Sequence, residues 1–220
     1  MNTKSNSRAW AIVGFFTLFM AAMTYNLIIF PACAVDSMEK YAIGQAELTT
    51  LASVTAVVGV FAGILFGRML DTKDVRKSIL IFMTLGTVLF FIRALIEGYV
   101  PVMILTFLAS LCVGICQVAG PKVVGTWFPP ESVGTAMSFL TAGAGIGSAG
   151  GFALGAILGI EKGLLSVGVF YLILTVIWLA IGKEGPFKVE IPPEAIEASK
   201  KGASRVYKSH RLWMVILAYS

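Results

Sequence analysis

The chain has 220 residues, 57% of them hydrophobic and only 13% charged, and its mean hydropathy is +0.86. An average soluble domain carries roughly twice that share of charge, so a soluble globular protein is excluded. The net charge of +5 does not point to nucleic acid either, because the basic residues sit in short clusters between apolar runs, where they act as membrane orientation signals.

Six apolar runs have the length that carries a helix across about 30 Å of hydrocarbon at 1.5 Å per residue. In chain order they cover residues 10–30, 48–70, 78–96, 102–126, 132–158 and 164–181. The expectation is an all-α membrane protein with a six-helix transmembrane bundle over residues 1–182. The first run exceeds a signal-peptide core and lacks a small-residue cleavage site, so it is expected to be retained. Pro31 and Pro101 mark span edges. Residues 183–211 mix Pro, Glu and Lys, which predicts a polar linker. Residues 212–220 turn apolar again but reach only about 14 Å as a helix. They predict the start of a truncated seventh span, and with it a missing C-terminal half of the same carrier. A six-span interaction or assembly protein, or a homodimer, is the alternative.

Short loops rich in Lys and Arg stay on the cytoplasmic side. With the N terminus inside, of the 17 basic residues only Lys40, Arg93 and Lys162 fall outside. The predicted location is an integral, multi-pass protein of the plasma (inner) membrane with a cytoplasmic N terminus.

Two of the runs carry glycine at every fourth position. The second has Gly59, Gly63 and Gly67; the fifth has Gly147, Gly151, Gly155 and Gly159, with Gly143 one step earlier. That spacing places each set on one helix stripe, where a neighbouring helix can approach closely. Since the middle run of each triplet is the glycine-rich one, spans one to three and four to six predict a 3+3 inverted repeat, an arrangement that secondary transporters use to line a midplane site.

Between the second and third runs lies Gly67-Arg-Met-Leu-Asp71-Thr-Lys-Asp74-Val-Arg76-Lys77. This segment resembles the signature loop of the major facilitator superfamily, with Asp74 where the family has its second glycine. The resemblance implies that Gly67 permits close approach and that Asp71, Arg76 and Lys77 take part in gating. Between the fourth and fifth runs, Trp127-Phe128-Pro129-Pro130-Glu131-Ser-Val-Gly134-Thr-Ala136 is similar to the same loop of nitrate, cyanate and oxalate/formate-type anion porters. Here the two prolines stop one span and Glu131 or Ser132 is expected to cap the next. The nitrate porters' buried arginine in span two has no counterpart before Arg68, which points away from nitrate itself. Together the resemblances imply one half of a twelve-span fold.

Ionisable groups inside the spans are functional candidates, because charge in hydrocarbon costs several kcal/mol unless paired or hydrated. Lys122 reads either as an anion contact or as a snorkelling side chain, and Arg93 reads as a structural pair with Glu97 one turn on. Tyr25, Asn26 and Gln117 are candidate cavity-lining, substrate-binding residues. Cys112 and Cys116 share a face and read as packing residues. Cys33, Cys112, Cys116 and the lone His210 give no metal-ligand spacing, and neither a catalytic cluster nor a phosphate loop is present. No metal, cofactor or enzymatic activity is expected. The reading is a secondary or facilitative transporter of a small solute, an organic or inorganic anion, by rocker-switch alternating access.

Overall fold

The structure, a computed structural model, describes residues 3–183, so the expected linker and seventh span lie outside the described residues apart from Lys183. Contacts divide the chain into Met1–Phe187 and Lys188–Ser220, and the first unit is the subject here. It is helical throughout: α1 Thr3–Ala32, α2 Ala34–Tyr41, α3 Gln45–Thr72, α4 Val75–Leu95, α5 Tyr99–Gly125 and α6 Pro130–Ile181. All but α2 contain stretches long and apolar enough to cross a membrane.

Helix α2 is absent from the hydropathy reading because only one stripe of it is apolar. Ser37 and Tyr41, four residues apart, are buried, whereas Val35, Asp36 and Glu39 face outward. It ends at Ala42 in the left-handed region (φ 51°). Glu47 then accepts the Gly44 backbone N–H at 2.6 Å and opens α3. At the start of α4 the Asp74 carboxylate accepts the Lys77 backbone N–H at 3.1 Å. The departure from the signature loop's glycine thus installs an N-cap. Helix α6 begins with Pro130 at its first turn, where the missing N–H has no cost. The expected cap from Glu131 or Ser132 is not used: the Ser132 hydroxyl instead donates back to the Pro129 carbonyl at 3.2 Å.

The fifth and sixth apolar runs form one element, interrupted only at Gly159 (φ 66°, ψ 179°). The apolar runs leave residues 159–163 between them, and within that gap a single residue makes the turn. Before it, Gly143, Gly147, Gly151 and Gly155 lie against Thr17, Ala21, Ile28 and Ala32 of α1 in that order. After it, Gly163 meets Ile29, Tyr171 meets Phe19, and Trp178 meets Phe15 and Phe16. The chain therefore runs up one side of α1 and back down another. Gly159 occupies a backbone region essentially closed to other residues, and a Cβ there would lie 2.9 Å from the Asp36 carboxylate. Gly159→Ala is expected to cost about 1–3 kcal/mol, read as a lower thermal midpoint in detergent. An unchanged midpoint would show that the turn tolerates another conformation.

Helix α1 is the axis of the unit. Phe15, Phe16, Phe19, Ile29 and Phe30 are all fully buried. On the other flank α5 packs on α3 and α4 through small residues: a Cβ on Gly114 would come within 2.8 Å of Ala62, and one on Gly86 within 2.6 Å of Val113. Cys112 and Cys116 are buried free thiols on this α5 surface. Helix α4 closes against the returning arm of α6, where Thr87 and Thr175 share a hydrogen bond of 3.3 Å and Phe90 stacks on Tyr171 at 4.7 Å.

Candidate functional site

Arg93 lies two residues before the end of α4 and is fully buried. The expected pairing with Glu97 does not form. Helix α4 stops at Leu95 and Ile96 is extended, so Glu97 no longer sits one helical turn above Arg93. The guanidinium turns inward. Its Nη1 donates to Asn26 Oδ1 of α1 at 2.9 Å and to Thr106 Oγ1 of α5 at 3.5 Å. Asn26 Nδ2 in turn donates to Ser110 Oγ at 3.3 Å, and Thr106 donates to the Val102 carbonyl at 2.7 Å. The rings of Phe90 and Phe30 lie 4.8 and 5.5 Å from the guanidinium carbon, within cation–π range. Among the described residues no carboxylate pairs with Arg93. Its Nε and Nη2 find no acceptor, and the buried hydroxyls of Tyr41 and Tyr171 have no hydrogen-bond partner either.

The other sequence candidates are distributed over the unit. Tyr25, on α1, shares a short hydrogen bond with Ser166 of the returning α6 arm. Asn26, on the same helix, belongs to the Arg93 network and is buried. Gln117 of α5 faces the α3 stripe, its amide oxygen 3.5 Å from where a Gly59 Cβ would stand; that oxygen is buried without a partner. Lys122 Nζ donates to the Leu70 carbonyl at 2.7 Å. Leu70 is in the last turn of α3, whose carbonyls lack intrahelical partners, so a lysine from α5 ties down the end of α3 and meets the favourable end of its dipole.

The signature loop follows immediately. Asp71 lies in the last turn of α3, and its side chain is outside what is described. Arg76 Nη2 donates to the Leu179 carbonyl at 3.3 Å, and Trp178 Nε1 donates back to the Arg76 carbonyl at 3.2 Å. Lys77 stands 3.9 Å from Asp74, both largely exposed, an arrangement that contributes little. The loop thus fastens α4 to the end of α6 through Arg76. The two glycine stripes differ: on α6 Gly147, Gly151 and Gly155 meet α1, whereas on α3 Gly63 and Gly67 have nothing within 4 Å of a Cβ position. On that α3 face Gly63 itself is exposed within this unit.

At the opposite end an open cleft of about 430 Å³ lies between α2 and the Gly159 turn. Lys40 Nζ bridges to Glu161 at 3.0 Å across it. Its rim alternates Asp36, Glu39 and Glu161 with Lys40 and Lys162, so the charges offset and no single-sign field develops. Among the described residues no group of His, Cys, Asp and Glu could hold a metal ion.

A family model described as Major Facilitator Superfamily matches residues 11–220. The chain belongs to this superfamily. It is therefore an integral, multi-pass membrane protein of a transporter family. Among solved structures it is similar to a bacterial homologue of the human lysosomal transporter Spinster in an inward-facing, unoccupied conformation, with a TM-score of 0.66 and 14% identity over 87% of this chain. The chain covers 46% of that protein, so it spans less than half the length of this major facilitator relative. At that identity the likeness speaks for the fold alone. No curated protein matches.

Proposed function

We propose that this major facilitator chain is the N-terminal half of a twelve-span carrier that moves a small organic or inorganic anion by rocker-switch alternating access, secondary or facilitative. In this reading its two arms of α6 are separate crossings, giving six spans arranged as two inverted triplets. The pairing of α1 with α6 on one flank and of α3 with α5 on the other, each through small residues, supports that repeat. The N terminus lies in the cytoplasm of a plasma-membrane protein, residues 183–211 link the halves, and residues 212–220 begin the seventh span. The α3 face that carries Gly63 is where the C-terminal half would slide, and the α3 to α4 loop, with Gly67, Asp71, Arg76 and Lys77, would gate that movement.

The observation that carries the anion is the sign of the embedded charge. Arg93 and Lys122 lie within spans, while no carboxylate lies in a span's interior. The anion-porter wording of the Trp127–Pro130 segment agrees. Tyr25, Asn26, Gln117 and Lys122 are the proposed groups nearest the pathway. The test is uptake of radiolabelled anions into proteoliposomes by the complete carrier. Lys122→Met is expected to lower uptake at least tenfold, because the α3 end loses its cationic tie, and Lys122→Arg is expected to retain part of it. Full activity of the methionine variant would remove Lys122 from the mechanism, and absence of anion uptake by the unaltered carrier would remove the anion.

A further inference from the structure

Helix α2 lies over one end of the bundle, where it touches α1, α3 and α6. Its buried stripe takes the hydroxyls of Ser37 and Tyr41 out of water and gives neither a hydrogen-bond partner, a state that costs each group its hydration without return. Tyr41 also feels the buried Arg93 charge, which works against the rise in hydroxyl pKa that burial imposes. Arg93 itself rests on Phe30, three residues before the α2 N-cap, Cys33. At its other end α2 stops on Ala42, a residue other than glycine in the left-handed region, which adds strain there.

Few attachments stand against these costs. The Tyr41 ring is buried, and Lys40 Nζ lies 5.9 Å from its centroid. The same Nζ reaches Glu161 at 3.0 Å, with the two side chains 17% and 75% exposed, and an ion pair so open to solvent contributes little. That pair spans the open cleft of about 430 Å³ between α2 and the Gly159 turn. Water therefore has access to one side of α2, and the helix has room to shift.

We propose that α2 is a hinged strap, latched by Lys40 on Glu161, that lifts from the bundle and lets water reach the buried hydroxyls of Ser37 and Tyr41. A short segment whose closed form leaves hydroxyls unmet, and whose latch is a solvated ion pair, has two states close in free energy, as a switching element requires. The hinges are Cys33 and Ala42, which already stand outside helical values at φ −109°, ψ 42° and φ 51°, ψ 48°. Closure also seals the Cys33 thiol, which donates to the Gly155 carbonyl at 3.3 Å, so lifting the strap frees it. The inference does not rest on the transport reading, and its readout is the exposure of one thiol rather than uptake.

The experiment treats the purified full chain in detergent with a charged, water-soluble maleimide and follows each native cysteine by peptide mass spectrometry. Cys33 is 4% exposed, and Cys112 and Cys116 are buried on α5, so Cys33 reports the strap while the other two report loosening of the bundle. Glu161→Gln and Lys40→Gln are each expected to speed modification of Cys33 by about two- to fivefold, the factor an exposed ion pair supplies, with Cys112 and Cys116 unchanged. These variants move the local charge in opposite directions, so a faster rate in both cannot come from altered thiol ionisation. Tyr41→Phe keeps the ring and deletes one unmet hydroxyl, and it is expected to slow Cys33 by about threefold or more. Equal Cys33 rates in the unaltered chain and all three variants would overturn the proposal and leave α2 a fixed cap. A rise shared by all three cysteines in Glu161→Gln would overturn it as well, because the ion pair would then hold the bundle and not the strap.

Discussion

Gly147→Ala is expected to abolish the folded six-helix unit, although it adds a single methyl group. A Cβ at this position would fall on the backbone of Ala21 in α1, and backbone cannot be displaced as a flexible side-chain end can. Relief requires α6 to move away from α1 along a stripe that also includes Gly143, Gly151 and Gly155, so the loss exceeds the usual 1–3 kcal/mol of overpacking. The counterpart is Gly63→Ala, where nothing lies within 4 Å; within this unit its effect should stay inside about 0.5 kcal/mol. Size-exclusion profiles and thermal midpoints of the two variants provide the measurement. If both behave alike, the asymmetry between the two glycine stripes is wrong.

Asn26→Leu is expected to be the most damaging change at a polar residue. It deletes the 2.9 Å acceptor of Arg93 and leaves a buried cation held only by Thr106 and two ring faces. Breaking a buried charged interaction by removing one partner costs about 3–5 kcal/mol. Adding Arg93→Met to the same chain removes the stranded charge, and the double variant should recover most of that loss. The cycle is read from denaturant midpoints of the four proteins. Strict additivity of the two changes would mean that Asn26 and Arg93 do not support one another.

Much of this architecture is legible in hydropathy, because each span must satisfy its own backbone hydrogen bonds and so declares itself as a long apolar run. Helix α2 is not, since a short helix with one buried stripe, Ser37 and Tyr41, has ordinary polar composition. The break between the fifth and sixth runs is visible as the charged pair Glu161 and Lys162, but the sequence places Gly159 in the packing stripe, and only its positive φ shows that this one residue makes the reversal. The glycine stripes are visible as a pattern, but which of them has a partner depends on the helix opposite, and sequence spacing carries no such information. Arg93 is the instructive failure. Spacing of four to Glu97 implies a pair only while the helix continues, and the extended Ile96 ends it. The inward partner, Asn26, lies 67 residues away in sequence. The role of Lys122 is hidden for the same reason, since its acceptor is a carbonyl, a group that every residue possesses.

The Gly159 reversal also bears on how the protein is made. Residues 131–181 leave the ribosome as one almost unbroken apolar stretch with a mean hydropathy of 2.5 in its best window, and its charged pair, Glu161 and Lys162, sits at the tip. Burying either charge at the bilayer centre on the way across costs about 3 kcal/mol on the insertion scale, which the apolar arms on both sides outweigh when they enter together. The two arms are thus expected to insert as a single hairpin rather than one after the other. Until that hairpin arrives, α1 waits in the lipid with the face that will receive Gly147 and Trp178 uncovered. Helix α1 is made well before the two arms that cover it, and membrane chaperones that shield lone helices would have a long contact with it.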